Sequence, residues 1–169
     1  MFEKGEYVYH ETGGICRIED ICTAPLDGMP ADRLYYVLRP MHDRNCVNYL
    51  PVDSEGVFLR QLLNRGEAEA LLKQIPGVDT IVEPNAKLLR AKYIEAMKSH
   101  QPLEWVRVVK TVQARIAAQG GKIARISESE RNFSDTARRN LVTELSLVLS
   151  IDAKEVECAI WQGMDAMEI

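Results

Sequence analysis

The stretch Gly5-Glu6-Tyr7-Val8-Tyr9-His10-Glu11-Thr12-Gly13-Gly14-Ile15-Cys16-Arg17-Ile18-Glu19-Asp20-Ile21-Cys22 decides the reading of the N-terminal fold. Tyr7 to His10 is a short aromatic and β-branched run, and Gly13-Gly14 supplies the turn into a second run, Ile15 to Cys22. Ala24-Pro25-Leu26-Asp27-Gly28-Met29-Pro30 is dense in turn formers and reads as a loop. Beyond it, Leu34 to Arg39 and Cys46 to Val52 have strand composition, and Val57 to Leu62 fits a fifth strand. Short strands at this spacing predict a small twisted sheet or a partly open barrel.

After Asn64 the apolar period lengthens from that of a strand to that of a helix. Glu67 to Gln74 reads as a short helix stopped by Pro76-Gly77, so residues 65–84 are expected to form a short helix and linker between a β-module at 1–64 and a helical domain at 85–169. Leu88, Leu89, Tyr93, Ala96 and Met97 mark the inner face of a helix over 85–99. Val106, Val109, Val112 and Ile116 do the same for Leu103 to Ala118, leaving Arg107, Lys110 and Arg115 on the outer face, and Gly120-Gly121 breaks that helix. Asn132 or Ser134 is expected to cap the next helix, with its stripe of Leu141, Leu145, Leu147, Val148 and Leu149. Asp152 with Glu155 opens a last one through Trp161. The fold class is α+β.

The net charge of −4 conceals a segregation: residues 81–125 carry nine Lys/Arg against three Asp/Glu, and both flanks are acidic. A central basic block suits a polyanion contact and equally suits a solvated face or pairing with the acidic C-terminal segment. No apolar run approaches the roughly 20 residues of a membrane span, and no signal peptide opens the chain, so a cytoplasmic protein without a membrane partner is expected. Cys16, Cys22, Cys46 and Cys158 are scattered, which points to free thiols rather than a disulfide framework or a zinc site. His10, His42 and His100 fall in separate elements with no relay partner beside them, and Gly13-Gly14 belongs to no phosphate-binding fingerprint. Neither catalysis nor a cofactor is expected.

The opening Gly5 to Arg17 resembles the RNA polymerase-interacting module shared by CarD-type regulators and transcription-repair coupling factors, whose pattern runs close to Gly-Asp-x-Val-Val-His-x-x-x-Gly-Ile-Gly-Arg. Leu34-Tyr35-Tyr36-Val37-Leu38 and Tyr49-Leu50-Pro51-Val52 resemble the Tyr-x-x-Leu and Val-Pro strands of that module, in the same order. Arg90 to Ser99, Trp105 to Val112 and Leu141 to Leu147 resemble the CarD C-terminal helices, and the chain is too short to hold the motors of a coupling factor.

The resemblance implies a Tudor-like or SH3-like module that docks on the RNA polymerase β-subunit lobe by strand pairing, placed here on Ile21, Cys22, Thr23, Val47, Asn48 and Tyr49. It implies that the helical domain contacts promoter DNA at the upstream edge of the transcription bubble, where relatives insert a tryptophan wedge. In this chain the wedge register falls at Val82 to Ala86, without an aromatic residue, and Trp105 is expected in the core. The phosphate-binding set is Lys87, Arg90, Lys92, Lys98, Arg107, Lys110 and Arg115, which gives weak DNA affinity without sequence readout. Two functions are open: a regulator of open-complex stability that touches both polymerase and DNA, and an adaptor that binds polymerase alone.

Overall fold

The structure is a computed structural model that describes residues 1–165, so the last four residues of the expected helical domain lie outside the described residues. The chain divides into two compact units, one ending at Leu62 and the other starting at Leu63.

The first unit is a five-stranded antiparallel sheet of β1 (Tyr7–His10), β2 (Gly14–Thr23), β3 (Leu34–Pro40), β4 (Asn48–Pro51) and β5 (Leu59–Gln61), ordered β4-β3-β2-β1-β5. The expected fourth and fifth strands are shorter than their composition suggested, because Cys46, Val47, Val57 and Phe58 belong to the connecting turns. Strand alternation sends Val8, Cys16, Ile18, Tyr36, Leu38 and Leu50 into one core, against which Phe2, Ile21 and Val52 pack. A bulge between Ile18 and Asp20 shifts the β2–β3 register by one residue, which keeps both Ile18 and Ile21 on the core side.

The turn between β1 and β2 is closely packed. A Cβ at Gly13 would lie 2.9 Å from Cys16 Sγ and 3.1 Å from His10 Nδ1, so only glycine fits there without movement. His10 is buried, and its Nδ1 accepts the Gly13 N–H at 3.1 Å, which requires that nitrogen to be unprotonated. Burial holds the imidazole pKa below its ordinary value, outweighing the opposing pull of Glu11.

In the second unit α1 (Arg65–Gln74) begins at a capping box of Asn64 and Glu67 and runs into a 3-10 turn, Ile75–Gly77. It packs against α4 (Glu128–Leu149) and α5 (Ala153–Asp165). α2 (Ala86–Lys98), capped by Asn85, and α3 (Pro102–Ala118), with Pro102 in its first turn, complete the bundle, whose largest interface is α3 on α4. α4 starts earlier than expected: Ser127 and Glu130 form its capping box, and Asn132 and Ser134 lie inside the helix. Trp105, Tyr93, Leu141, Leu145 and Ile160 are fully or almost fully buried, as expected for Trp105. At Gly163, a Cβ would sit 2.9 Å from Ile75 Cγ2, so this glycine lets α5 press on the 3-10 turn.

Polar side chains tie the segments between helices to this core. Glu144 accepts the Leu63 N–H at 2.9 Å, and Thr111 Oγ1 accepts the Ile81 N–H at 2.8 Å. Lys110 Nζ donates to the carbonyls of Ile75 at 3.2 Å and Pro76 at 2.9 Å.

Two outcomes follow from these contacts. Lys110→Ala leaves two carbonyls without their cation and is expected to destabilise the helical unit by about 2 kcal/mol, as read by urea unfolding. For His10 the folded pKa is lowered, so its contribution is complete above the unfolded value of about 6.5 and is lost progressively as pH falls from there through the folded value. The unfolding midpoint should therefore drop between about pH 7.5 and 5.5, with a smaller drop in His10→Gln.

Candidate functional site

The two ends of the sheet, β4 and β5, each pair on one side only. Along β4, Tyr49 faces Val37 and Leu50 faces Tyr36, while Val52 N donates to Leu34 O at 2.9 Å. Pro51 has no N–H to offer. Antiparallel alternation therefore directs Leu50 and Val52 toward β3 and turns the N–H and C=O of Tyr49 to the free border. This is an edge that an added strand can extend.

The other expected segment borders a different gap. β1 pairs with β2 over Gly14 to Arg17, and Gly5 and Glu6 reach only as far as Ile18. Beyond that point Ile21, Cys22 and Thr23 pair with Tyr36, Tyr35 and Leu34 on one side and with no strand on the other. The two expected segments border different gaps: β3 lies between Ile21–Thr23 and β4, and the two borders face opposite ways. The side chain of Ile21 packs on the core, Cys22 is half-buried and Thr23 exposed. Val47, Asn48 and Tyr49 are half-buried, and Val47 precedes the strand.

The seven expected phosphate-binding cations separate into two groups. Lys87, Arg90, Lys92 and Lys98 are all exposed on α2; Lys87 and Lys98 lie opposite the buried Leu89, Tyr93 and Ala96, whereas Arg90 and Lys92 flank that buried face on its two sides. Lys87 and Lys98 are eleven residues apart, which at about 100° and 1.5 Å per residue places them on one line roughly 16 Å long. Neither has an ion-pair partner among the described residues. Lys92 pairs with Glu83 at 3.1 Å, and Arg90 Nε donates to Ser129 Oγ at 3.3 Å.

The α3 cations are different. Lys110, expected on the outer face, is buried on the carbonyls of the 3-10 turn, so it is not available to a ligand. Arg115 donates to Glu130 at 2.8 Å, in a carboxylate that also takes the Tyr93 hydroxyl, and Arg107 lies 3.6 Å from Glu104. Sequence reasoning left Lys122 and Arg125 out of the set, although both are exposed in the turn before α4. Gly120-Gly121, which breaks α3 just ahead of them, was the available signal.

At the register where relatives carry a wedge, Val82 is 83% exposed and the nearby Leu88 is 53% exposed. Trp105 has no exposed surface, which removes it as a substitute. All four cysteines are free thiols, and burial pushes the Cys16 thiol up to about 12. Among the described residues no group of three His, Cys, Asp or Glu side chains is placed to hold a metal ion. No helix among them is long and apolar enough to cross a membrane.

Two family models match the chain: CarD-like/TRCF RID domain over residues 2–63 and CarD, C-terminal domain over residues 81–160. The chain belongs to the CarD-like family. It is accordingly a transcription-related regulator that interacts with RNA polymerase, in a family of non-enzymatic transcription factors. No curated protein matches the sequence. Of the two matched regions of this CarD-like chain, the first covers the first compact unit and ends one residue beyond it, and the second lies within the second unit.

A consequence separates the two groups of cations. Charge removal at Lys87 and Lys98 should leave stability within about 0.5 kcal/mol of the parent chain, as for other exposed substitutions away from packing features. Arg115→Ala, which strips the partly buried Glu130 of its cation, should cost about 1–2 kcal/mol in urea unfolding.

Proposed function

We propose that this CarD-like chain docks on the β-subunit lobe of RNA polymerase by adding a strand along β4, and presents α2 to promoter DNA beside the transcription bubble. Main-chain bonds through Tyr49 supply the docking, and side chains along the border supply its specificity. The contact with DNA is weak and does not read sequence, because Lys87, Arg90, Lys92 and Lys98 are point contacts to phosphates. Docking makes that contact effective by raising the local concentration of the helical unit at the promoter. The outcome is a change in open-complex stability.

The observation that carries the DNA contact is the exposed row on α2, where Lys87 and Lys98 lack any acidic partner among the described residues, with the exposed Val82 and Leu88 close in sequence. An aliphatic side chain can lean on a distorted base step in the minor groove, although over a smaller area than an indole. The adaptor reading has its own support in the missing aromatic residue at Val82 to Ala86.

Substitutions that leave the core intact distinguish the two. Tyr49→Pro removes an outward N–H without removing a β3–β4 bond, and should abolish capture of RNA polymerase by the full-length chain. Lys87→Glu with Lys98→Glu should leave capture intact, abolish the effect on promoter opening and reduce the salt slope of promoter association by about 2. Unchanged promoter opening in the double variant would establish the adaptor.

A further inference from the structure

The outward face of the sheet carries a cavity of about 290 Å³ whose charged walls are Arg17, Arg39, Arg44 and Glu19. Strand register brings these groups together. Tyr7 pairs with Arg17 across β1 and β2, and Arg17 pairs with Arg39 across β2 and β3, so two guanidinium side chains stand directly opposite each other. Like charges in that position oppose sheet formation. The bulge after Ile18 turns Glu19 toward Arg39, whose Nε donates to the carboxylate at 2.6 Å, and a second nitrogen of Arg39 donates to the carbonyl of Arg44. The Arg39 hydrogen bond holds Glu19 below the usual carboxylate range, so the pair stays ionised.

This leaves two positive charges in excess, with Glu19 bonded to Arg39 and acted on more weakly by Arg17. Neither Arg17 nor Arg44 has an ion-pair partner among the described residues, and Asp43, next to Arg44, accepts the Asn45 N–H instead. The concentration is out of keeping with the rest of the unit. Residues 1–62 hold ten carboxylates and only six Lys/Arg, and three of those six line this one cavity. The other three are engaged elsewhere: Lys4 with Asp20 at 3.1 Å, Arg33 with Asp53 at 2.8 Å, and Arg60 over the Tyr9 ring at 4.9 Å. Tyr7, Pro40 and Met41 form the less polar part of the wall.

We propose that this cavity binds the phosphate monoester of a small ligand. With Glu19 counted, the three guanidinium groups leave an excess of two positive charges, which matches a dianion on a single atom centre. A carboxylate would neutralise only half of it. Three phosphate oxygens can also accept from forks that approach from two strands and a loop, whereas a carboxylate offers one planar edge. An extended polyanion is disfavoured, since its flanking phosphates would run over a surface dominated by carboxylates. The wall of Tyr7, Pro40 and Met41 suits the uncharged remainder of a small molecule or of a phosphorylated side chain. This inference is independent of docking on polymerase and of DNA contact.

The test is a titration of the full-length ¹⁵N-labelled chain, at constant ionic strength, with inorganic phosphate, AMP, a phosphoserine peptide, acetate and a glutamate-rich peptide. The expected result is saturable shifts of the Arg17, Met41 and Arg44 amides with the phosphate-bearing probes and none with acetate. Arg17→Gln and Arg44→Gln should each weaken binding about tenfold. Arg44 lies in an exposed turn, so its variant keeps the test valid if the strand variant does not fold. Whether AMP or the phosphoserine peptide binds more tightly than inorganic phosphate identifies the source of the group. Absence of saturable shifts, affinity in both variants equal to that of the parent chain, or tighter binding of the glutamate-rich peptide would each overturn the proposal.

Discussion

The antiparallel register of β2 against its neighbours is the constraint on which the first unit depends. Because side chains alternate, the pairing that buries Val8, Cys16, Ile18 and Leu38 also forces Tyr7, Arg17 and Arg39 outward. A slip of one residue would exchange the two sets, placing two arginines in the core. The same register leaves β4 as a border strand and turns the Tyr49 amide toward its free side. Core, open β4 edge and arginine cavity are three products of one pairing pattern.

In the second unit the corresponding constraint is the accounting of buried polar groups. The 3-10 turn at Ile75–Gly77 presents the carbonyls of Ile75, which also accepts the Val78 N–H, and of Pro76, and Lys110 reaches both from α3. Glu130 gathers Arg115, Tyr93 and the Ser127 cap at the start of α4. Each contact withdraws a charge from the surface, so the basic character of residues 81–125 is concentrated on α2 and the turn before α4. A count of charges along the chain overstates what α3 can offer to a polyanion.

Most of the architecture was legible because hydrophobic period changes so clearly at Asn64, and because Gly13-Gly14 and Pro76-Gly77 mark real turns. The start of α4 was misplaced although Ser127 and Glu130 have the capping-box spacing; Asn132 and Ser134, nearer the apolar stripe, drew the boundary inward. Lys110 could not be read correctly from a helical wheel. A lysine stem packs like an apolar residue, and the carbonyls that receive its amine come from a turn more than thirty residues earlier. Position along the chain does not reveal that β3 separates Ile21–Thr23 from β4. Which way the Tyr49 amide points becomes clear only once Pro51 and Val52 fix the alternation. The arginine cavity is hidden from the sequence for a similar reason, since Arg17 lies more than twenty residues before Arg39 and Arg44 and meets them only through pairing.

The most direct test of the docking account is amide hydrogen exchange of the full-length chain, free and bound to RNA polymerase, before and after promoter DNA is added. The account expects the Tyr49 amide, turned to the open border in the free chain, to become protected on binding polymerase, while the exposed side of α2 changes only when DNA is present. Protection that spares β4, or that is confined to the helical unit, would contradict it.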